Sequence, residues 1–315
     1  MPDPLPARIG LAAPSIPNAG AIATPEDLDE DATALDVVRA ALAPSVARLL
    51  RQDPAIRRGD DPEAIHAARV AVRRVRSHLR TFRRFLDREP ADELRRELRW
   101  LGRALGEVRD AEVLGERLRG RLAGLAGEPP ELAPLLEELE NRRASERHSL
   151  LAAMRSVRYV DLVEHLAAWA AEPRGRAGRA QRPARRALAV MERPWAQLAD
   201  GVRRLGPDPR DEQLHRVRIQ TKRVRYAAEA LALVAGKPAT RFAAKATELQ
   251  DVLGEHQDAV AAIRWLGAHG RPAGDPLLAF GAGRLAEVEW EARAQARADW
   301  PDAWRSLERR KRFWN

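Results

Sequence analysis

One dense pattern of positive charge occurs twice in this chain, and the repeat restricts the folds that the chain can adopt. The first copy, residues 65–82, reads IHAARVAVRRVRSHLRTF, and the second, residues 214–231, reads LHRVRIQTKRVRYAAEAL. In each copy, basic residues follow a histidine after three, seven, eight and ten positions. Apolar residues at helical spacing lie between them, so each copy predicts an amphipathic helix.

The repeat extends beyond the basic helices. The segment LGEVRDAEV, residues 105–113, matches LGEHQDAVA, residues 253–261, at nearly the same offset. Each half therefore carries a basic helix followed by a second helix with its own shared motif. Two long copies of one supersecondary unit predict a duplicated helical bundle with pseudo-twofold packing and not a solenoid.

The composition favours an all-α protein. The 315 residues are rich in Ala, Leu, Arg and Glu, and runs of strand-forming residues are missing. This length exceeds that of a typical single domain, which fits two halves, and the 45% of apolar residues suffices for a core.

The charge balance predicts a polyanionic partner. The formal net charge is +9, and only four of the 55 Lys and Arg residues are lysines. A strongly basic chain favours nucleic acid, an acidic surface or a phosphate polymer. The planar fork of arginine also suits bidentate binding of phosphate.

The chain has no cysteine, which excludes disulfides and thiolate chemistry and is typical of a reducing cytoplasm. No apolar run has the length of a membrane span, so we expect a cytoplasmic protein without a membrane partner. Residues 1–30 contain many prolines and do not resemble a signal peptide. We expect them to form a disordered leader.

The remaining chain divides into a first helical half (31–171), a Gly- and Pro-rich linker (172–183) and a second half (184–315). Thr33 is expected to cap the first helix. The predicted helices cover 32–50, about 61–87, 91–120, 132–154 and 159–171 in the first half, and 184–205, 211–235, 239–269, 276–297 and 302–310 in the second.

On a helix with about 100° per residue, the first copy separates into two faces. His66, Arg69, Arg73, Arg76 and Arg80 share one third of the circumference, whereas Ala68, Val72, Val75, Leu79, Phe82 and Leu86 share the core face. In the second copy the charged face holds His215, Arg218, Lys222 and Arg225, and the core face holds Val217, Val224, Ala228 and Leu231. Glu229 replaces the arginine that would correspond to Arg80, so we expect this stripe to be shorter and to end in a salt bridge.

A solvated helix face normally mixes charges, because like charges at three or four residues' spacing cost about 0.2–0.5 kcal/mol per pair. The chain has no acidic residue from His66 to Arg84. An anionic ligand explains the stripe better, and the two histidines can donate hydrogen bonds to phosphate oxygens. The expected role of Asp110 and Asp258 on the following helices is structural, as orienting partners of neighbouring arginines. No metal site is expected, because the charged face lacks further ligands at the required spacing.

These motifs resemble the conserved-histidine α-helical domain (CHAD) family, whose hallmark is a paired helix with a leading His and regularly spaced Arg and Lys. HAARVAVRRVR and HRVRIQTKRVRY carry the resemblance, which covers about residues 30–312 and includes RYVDLVEHLAAW (158–169). It implies two four-helix bundles related by pseudo-twofold symmetry around a central basic channel or basin. It also implies binding of inorganic polyphosphate and, in some members, association with polyphosphate or polyhydroxyalkanoate granules.

Residue by residue, the resemblance assigns polyphosphate binding to His66, Arg69, Arg73, Arg76, Arg80, His215, Arg218, Lys222 and Arg225. A second tier could extend the lining: Arg74 and Arg223, which match the motif but leave the stripe, and Arg83, Arg99, Arg103, Arg241 and Lys245.

We expect a non-enzymatic protein without a cofactor, since no phosphate-binding loop, nucleophile elbow or paired-carboxylate site is present. The segment EWEAR, residues 289–293, only superficially resembles a triphosphatase motif. Two alternatives stay open. A nucleic-acid-binding protein is disfavoured because only Tyr226 and Phe82 could supply aromatic stacking. An enzyme of polyphosphate metabolism would need a metal site or a general base.

Overall fold

The computed structural model describes residues 17–25, 27–124, 130–270 and 275–314. Within these ranges the chain is all-helical, as predicted, and contains no strand. Short 3-10 helices cover Ala19–Ala21, Pro130–Leu132 and Ala184–Met191. The α-helices are α1 (Ala34–Arg58), α2 (Ala64–Thr81), α3 (Arg88–Ala123), α4 (Ala133–Met154), α5 (Val157–Ala171), α6 (Glu192–Arg203), α7 (Asp211–Ala230), α8 (Ala232–Ala235), α9 (Lys237–His269) and α10 (Pro276–Glu308).

Residues 1–16 of the expected leader lie outside the described residues. In the part that is described, Ala19, Ile22 and Leu28 pack against the core, which differs from the disorder expected up to residue 30. The expected linker, 172–183, has no α-helix and packs along the first half. Its backbone exchanges hydrogen bonds there, with Arg176 N–H donating to the Phe85 carbonyl at 2.8 Å.

Local signals fix the ends of α1. Thr33 forms a capping box with Asp36, in which the Thr33 N–H donates to the Asp36 carboxylate at 2.8 Å. The helix ends at Gly59, whose φ of 77° is a left-handed conformation that favours glycine. The helix was expected to end at Leu50. It continues through Pro54 because Asp53 and Ile56 are buried on its core face.

The last helix also differs from its prediction. The pattern predicted a break near Arg297 and a separate short helix from Asp302, but α10 is continuous through Pro301. Trp300, Trp304 and Leu307 are all buried, so the apolar stripe continues across the proline and stabilises the helix. Conversely, α2 ends at Thr81 and not near Asp87, and the following turn buries Phe82, Phe85 and Leu86.

Two apolar clusters hold the helices together. The main cluster combines residues of both halves, including the predicted core faces of α2 and α7, for example Val72, Leu79 and Val224. Full burial of each such side chain contributes about 1.5–3 kcal/mol. The second cluster joins the ends of α3 and α9 to the starts of α4 and α10, with Leu118, Trp265 and Leu285 among its members. The twofold relation between the two halves stays a prediction.

The position of the basic helices follows from this packing. Helix α2 packs against α1 and α3, α7 packs against α6 and α9, and α2 and α7 also contact each other. Each basic helix therefore turns its apolar face into the core and brings its charged face next to that of the other.

Candidate functional site

A polar seam joins α2 to α7. Arg73 Nε donates a hydrogen bond of 2.6 Å to the hydroxyl of Tyr226. Arg74 forms an ion pair of 3.0 Å with Glu229, and Arg225 approaches the same carboxylate at 3.6 Å. The guanidinium groups of Arg73, Arg74 and Arg225 all lie within 6 Å of the Tyr226 ring centre, as cation–π contacts require.

Beside this seam lies a cleft of about 400 Å³, which we call the central cleft. It is bounded by α2, α7 and the first half of α3, and none of the described residues that line it is a carboxylate. Its basic lining residues are Arg69, Arg73, Arg76, Arg80, Arg95, Arg99, His215, Arg218, Lys222 and Arg223.

The structure thus brings seven of the nine first-tier residues into one cleft: Arg69, Arg73, Arg76, Arg80, His215, Arg218 and Lys222. Arg225 lies at the seam instead, because Glu229 and the Tyr226 ring attract its guanidinium. This is the salt bridge that the Glu229 substitution predicted. His66 is exposed at the start of α2 and does not line the cleft.

The second-tier residues divide in the same way. Arg223 lines the central cleft, although its angular position on the helix lies outside the charged face. Its long side chain reaches from that position to the cleft. Arg74 is held by Glu229 at the seam. Arg83 lines an adjacent pocket, whereas Arg103 and Lys245 lie away from both, and Lys245 pairs with Glu248 at 2.6 Å.

The shared Leu-Gly-Glu motif has a structural role in the cleft. A Cβ placed on Gly106 would lie 3.6 Å from Arg69 Nε, and one on Gly254 would lie 3.7 Å from an Arg218 terminal nitrogen. Both distances are ordinary van der Waals contacts, so in each half the first arginine of the basic motif packs against the following helix at the position of this glycine. Both copies of the motif thus position an equivalent cation.

The partners of these two arginines differ. Arg69 forms an ion pair of 3.0 Å with Asp110, which confirms the orienting role expected for that aspartate. Asp258, its counterpart, lies beside Arg218 without an ion pair among the described residues, and burial raises the pKa of Asp258. The buried Nε of Arg218 has no hydrogen-bond partner there. Arg218 therefore keeps an unused donor at the cleft.

The two histidines also differ. His215 Nδ1 lies 2.7 Å from the Gln257 side-chain oxygen, which orients the ring at the edge of the cleft. Arg109 occupies the matching position in the first half. Partial desolvation and the positive charge of Arg109 lower the pKa of His66.

Most cations of the central cleft have no ion-pair partner among the described residues; Arg69, with Asp110, and Arg95, with Asp92, are the exceptions. Burial lowers the pKa of Lys222 to about 7, and the positive charges of Arg218, Arg73 and Arg69 act in the same direction. Burial also lowers the pKa of Arg218, Arg76 and Arg223. An anion in the cleft would remove this repulsion and satisfy the free donors.

The sequence reasoning missed Arg95 and Arg193, and it left Arg99 in the second tier. Arg95, Arg99, Gly102 and Gly106 follow one another at three- and four-residue spacing on α3, so their common face was readable. Arg193 had no such signal, because it lies at the start of α6 and reaches the residues of α2 only through the tertiary packing.

Within the described ranges, no group of three or more His, Cys, Asp or Glu side chains is arranged to hold a metal ion. None of the helices described is both long and apolar enough to cross a membrane.

The fold and the cleft define an all-helical protein with an arginine-lined cleft. The model of the CHAD domain family matches residues 40–267, and the chain belongs to this family. The structure is similar to PptA from Streptomyces chartreusis, with a TM-score of 0.73, 24% identity, and coverage of 87% of this chain and 100% of that chain. It is also similar to the CHAD domain from the plant Ricinus communis, with a TM-score of 0.71, 27% identity, and coverage of 90% and 95%.

Two curated relatives from Mycobacterium tuberculosis, the uncharacterized proteins MT2285 and Rv2226, are each 33% identical to this chain over 235 residues. The matched region covers 71% of this chain but only 44% of each relative. The chain therefore spans less than half the length of the curated relatives that it matches.

Proposed function

We propose that this protein binds inorganic polyphosphate in the central cleft. One observation carries the proposal: ten Arg, Lys and His side chains from three helices line a single cleft to which none of the described residues contributes a carboxylate. Membership of the CHAD family supports the same ligand, because the motifs that carry the resemblance supply seven of these side chains.

The binding mechanism follows from the chemistry of the lining. Arginine forks donate paired, charge-assisted hydrogen bonds to phosphate oxygens, and these bonds are about twice as strong as neutral ones. Arg69 and Arg218 are pre-positioned against Gly106 and Gly254, and the Tyr226 hydroxyl holds Arg73 in place. Because binding releases counterions, the affinity is expected to fall steeply as the salt concentration rises.

Nucleic acid is the competing ligand. A single-stranded nucleic acid needs exposed aromatic rings for base stacking. Tyr226 is the one aromatic residue that lines the cleft in the described structure, and it is 1% exposed beneath three guanidinium groups. The lining therefore favours a bare phosphate chain over a base-bearing backbone.

The proposal is tested by titrating the full chain with long-chain polyphosphate and, separately, with single-stranded RNA at near-physiological salt. We expect tighter binding of polyphosphate. Equal or tighter binding of RNA would overturn the proposal in favour of a nucleic-acid-binding protein.

We further propose a binding role without catalysis, since the described lining residues of the cleft include no carboxylate to hold a metal ion or act as a general base. A colourimetric phosphate-release assay with polyphosphate and Mg²⁺ or Mn²⁺ tests this point, and sustained release would identify an enzyme instead. Targeting to cytoplasmic polyphosphate granules is the cellular role that such binding would serve. Imaging of a fluorescent fusion beside a polyphosphate stain would test that targeting.

A further inference from the structure

The central cleft continues into a second basic pocket of about 570 Å³, which we call the side pocket. The two cavities share four lining residues: Ser77, Arg80, Arg95 and Arg223. A phosphate chain that reached these shared arginines from the central cleft could therefore extend into an open pocket that is also positively charged.

The side pocket has its own cations. Arg83, Arg84 and Arg193 all line the side pocket, and none of the three lines the central cleft. Arg193 comes from the start of α6, an element that carries neither copy of the basic motif. Glu192 is the single carboxylate among the described lining residues.

The arginines of the side pocket differ in their freedom to bind. Arg83 and Arg95 both pair with Asp92, at 2.6 and 2.7 Å. Arg84 and Arg193 form no ion pair with any carboxylate among the described residues. Partial desolvation lowers the pKa of Arg80, and the charges of Arg223, Arg95 and Arg193 lower it further, so these cations repel one another across the pocket.

Beyond Arg223 the basic lining ends. The next depression is lined by Gln197, Asp200, Gln220 and Arg204, a mixed set that includes a carboxylate. The basic path therefore leads from the central cleft through Arg80 and Arg223 into the side pocket and stops there.

We propose that the side pocket is a second phosphate subsite, which binds the continuation of a phosphate chain and makes the protein select long chains over short ones. This inference rests on the proposed function, because it needs a phosphate chain in the central cleft. A short oligophosphate fills the central cleft alone, whereas a longer chain also contacts Arg84 and Arg193.

The test compares tripolyphosphate with long-chain polyphosphate on the full-length protein and on the double variant Arg84→Ala/Arg193→Ala. Because a hydrogen bond to a charged group contributes about 1.5–3 kcal/mol, we expect a loss of at least about tenfold in affinity for the long chain. Binding of tripolyphosphate should change by less than about twofold, because this short ligand makes no hydrogen bond to Arg84 or Arg193 that the variant could remove. For the long chain, the slope of log affinity against log salt concentration should become shallower by about one for each phosphate contact that is lost.

Arg185→Ala/Arg186→Ala is the matched control, since both arginines are exposed on the neighbouring 3-10 helix and lie outside the two cavities. It removes the same charge and should leave both affinities unchanged. Circular dichroism verifies the fold of each variant. Unchanged long-chain binding, or equal losses for both ligands, would overturn the side pocket as a separate subsite. If the unmodified protein binds neither ligand, the proposed function itself fails.

Discussion

Arginines of α3 serve opposite purposes at the two ends of the helix. Near its start, Arg95 and Arg99 line the central cleft, whose described lining contains no carboxylate, and only Arg95 of the two has an ion-pair partner, Asp92, outside that lining. Near its end, Arg117 meets the fully buried Glu289 at 2.5 Å and Glu255 at 2.7 Å, and Arg121 joins the same cluster. Burial lowers the pKa of Arg117, but its hydrogen bonds to Glu255 and Glu289 outweigh burial and raise it.

The difference shows that arginine content alone does not identify a binding site. At the far end of α3 the charges are neutralised within the protein, so those arginines connect α3 to α9 and α10. In the central cleft most of the arginines have no ion-pair partner among the described residues, so their charge is available to a ligand. The position of the carboxylates therefore separates structural arginines from those that we propose bind a ligand.

The largest expected effect comes from reversing charge in the central cleft. The double variant Arg73→Glu/Lys222→Glu should lose about 3–6 kcal/mol of polyphosphate binding, since two charged contacts are removed and replaced by repulsion. Helix content by circular dichroism should stay the same. In ligand-free, low-salt buffer the melting temperature should rise, because like-charge repulsion is relieved.

The matched control for that variant is Arg142→Glu/Arg216→Glu, which changes the same net charge at exposed positions outside the cleft. It should retain most of the affinity. Binding that persists in Arg73→Glu/Lys222→Glu would place the ligand elsewhere on the molecule.

The neutralised cluster should respond in the opposite way. Glu289→Gln should lower the free energy of unfolding by about 3–5 kcal/mol, because Arg117 would keep a buried and partly unpaired charge. Denaturant unfolding measures this loss, and the folded variant should bind polyphosphate normally. Glu248→Gln breaks the more exposed pair with Lys245 and should cost at most about 1 kcal/mol. Weakened binding in Glu289→Gln with little loss of stability would contradict the assignment.

A smaller effect should distinguish the two halves of the cleft. Arg218→Ala should cost about 1.5–3 kcal/mol of binding, because Arg218 has a free buried donor and no ion pair among the described residues. Arg69→Ala should cost less, since Asp110 already neutralises Arg69 in the free protein. Isothermal titration of both variants with polyphosphate measures the difference, and equal losses would show that the Asp110 ion pair does not limit binding.

The smallest expected effect is a pH dependence. The pKa of Lys222 is about 7 in the free protein, so an anionic ligand should raise it and take up a proton on binding. Affinity should fall by at most about tenfold per pH unit as the pH rises above 7. Lys222→Arg should flatten this dependence, because arginine stays charged. An unchanged pH profile in Lys222→Arg would assign the titration to another group.

The lowered pKa of Lys222 also makes the stability of the ligand-free protein depend on pH. In the unfolded chain Lys222 should titrate near 10.5, so between about pH 7 and 10.5 only the unfolded state holds its proton. The contribution of Lys222 to the free energy of unfolding should therefore rise with pH across this window. Thermal melts of the ligand-free protein and of Lys222→Met compare the two profiles.

The sequence was sufficient for the features that depend on local spacing. Helical periodicity identified the buried faces of α2 and α7, and the charge pattern selected most of the arginines that line the central cleft. The capping residues at Thr33 marked the start of α1, and the Glu229 substitution marked the end of the second stripe. These features depend on neighbours within a few turns of one helix.

Only the tertiary structure decided which cations share a cavity and which are neutralised. Arg225 and Lys222 belong to the same motif, yet Glu229 holds one at the seam while the other lies in the cleft without a paired carboxylate. Arg193 joins the side pocket from a separate element, and Glu289 of the EWEAR segment is a buried partner of Arg117 and Arg121. Electrostatic partners meet across helices that are distant in sequence, so periodicity along one helix carries no information about them.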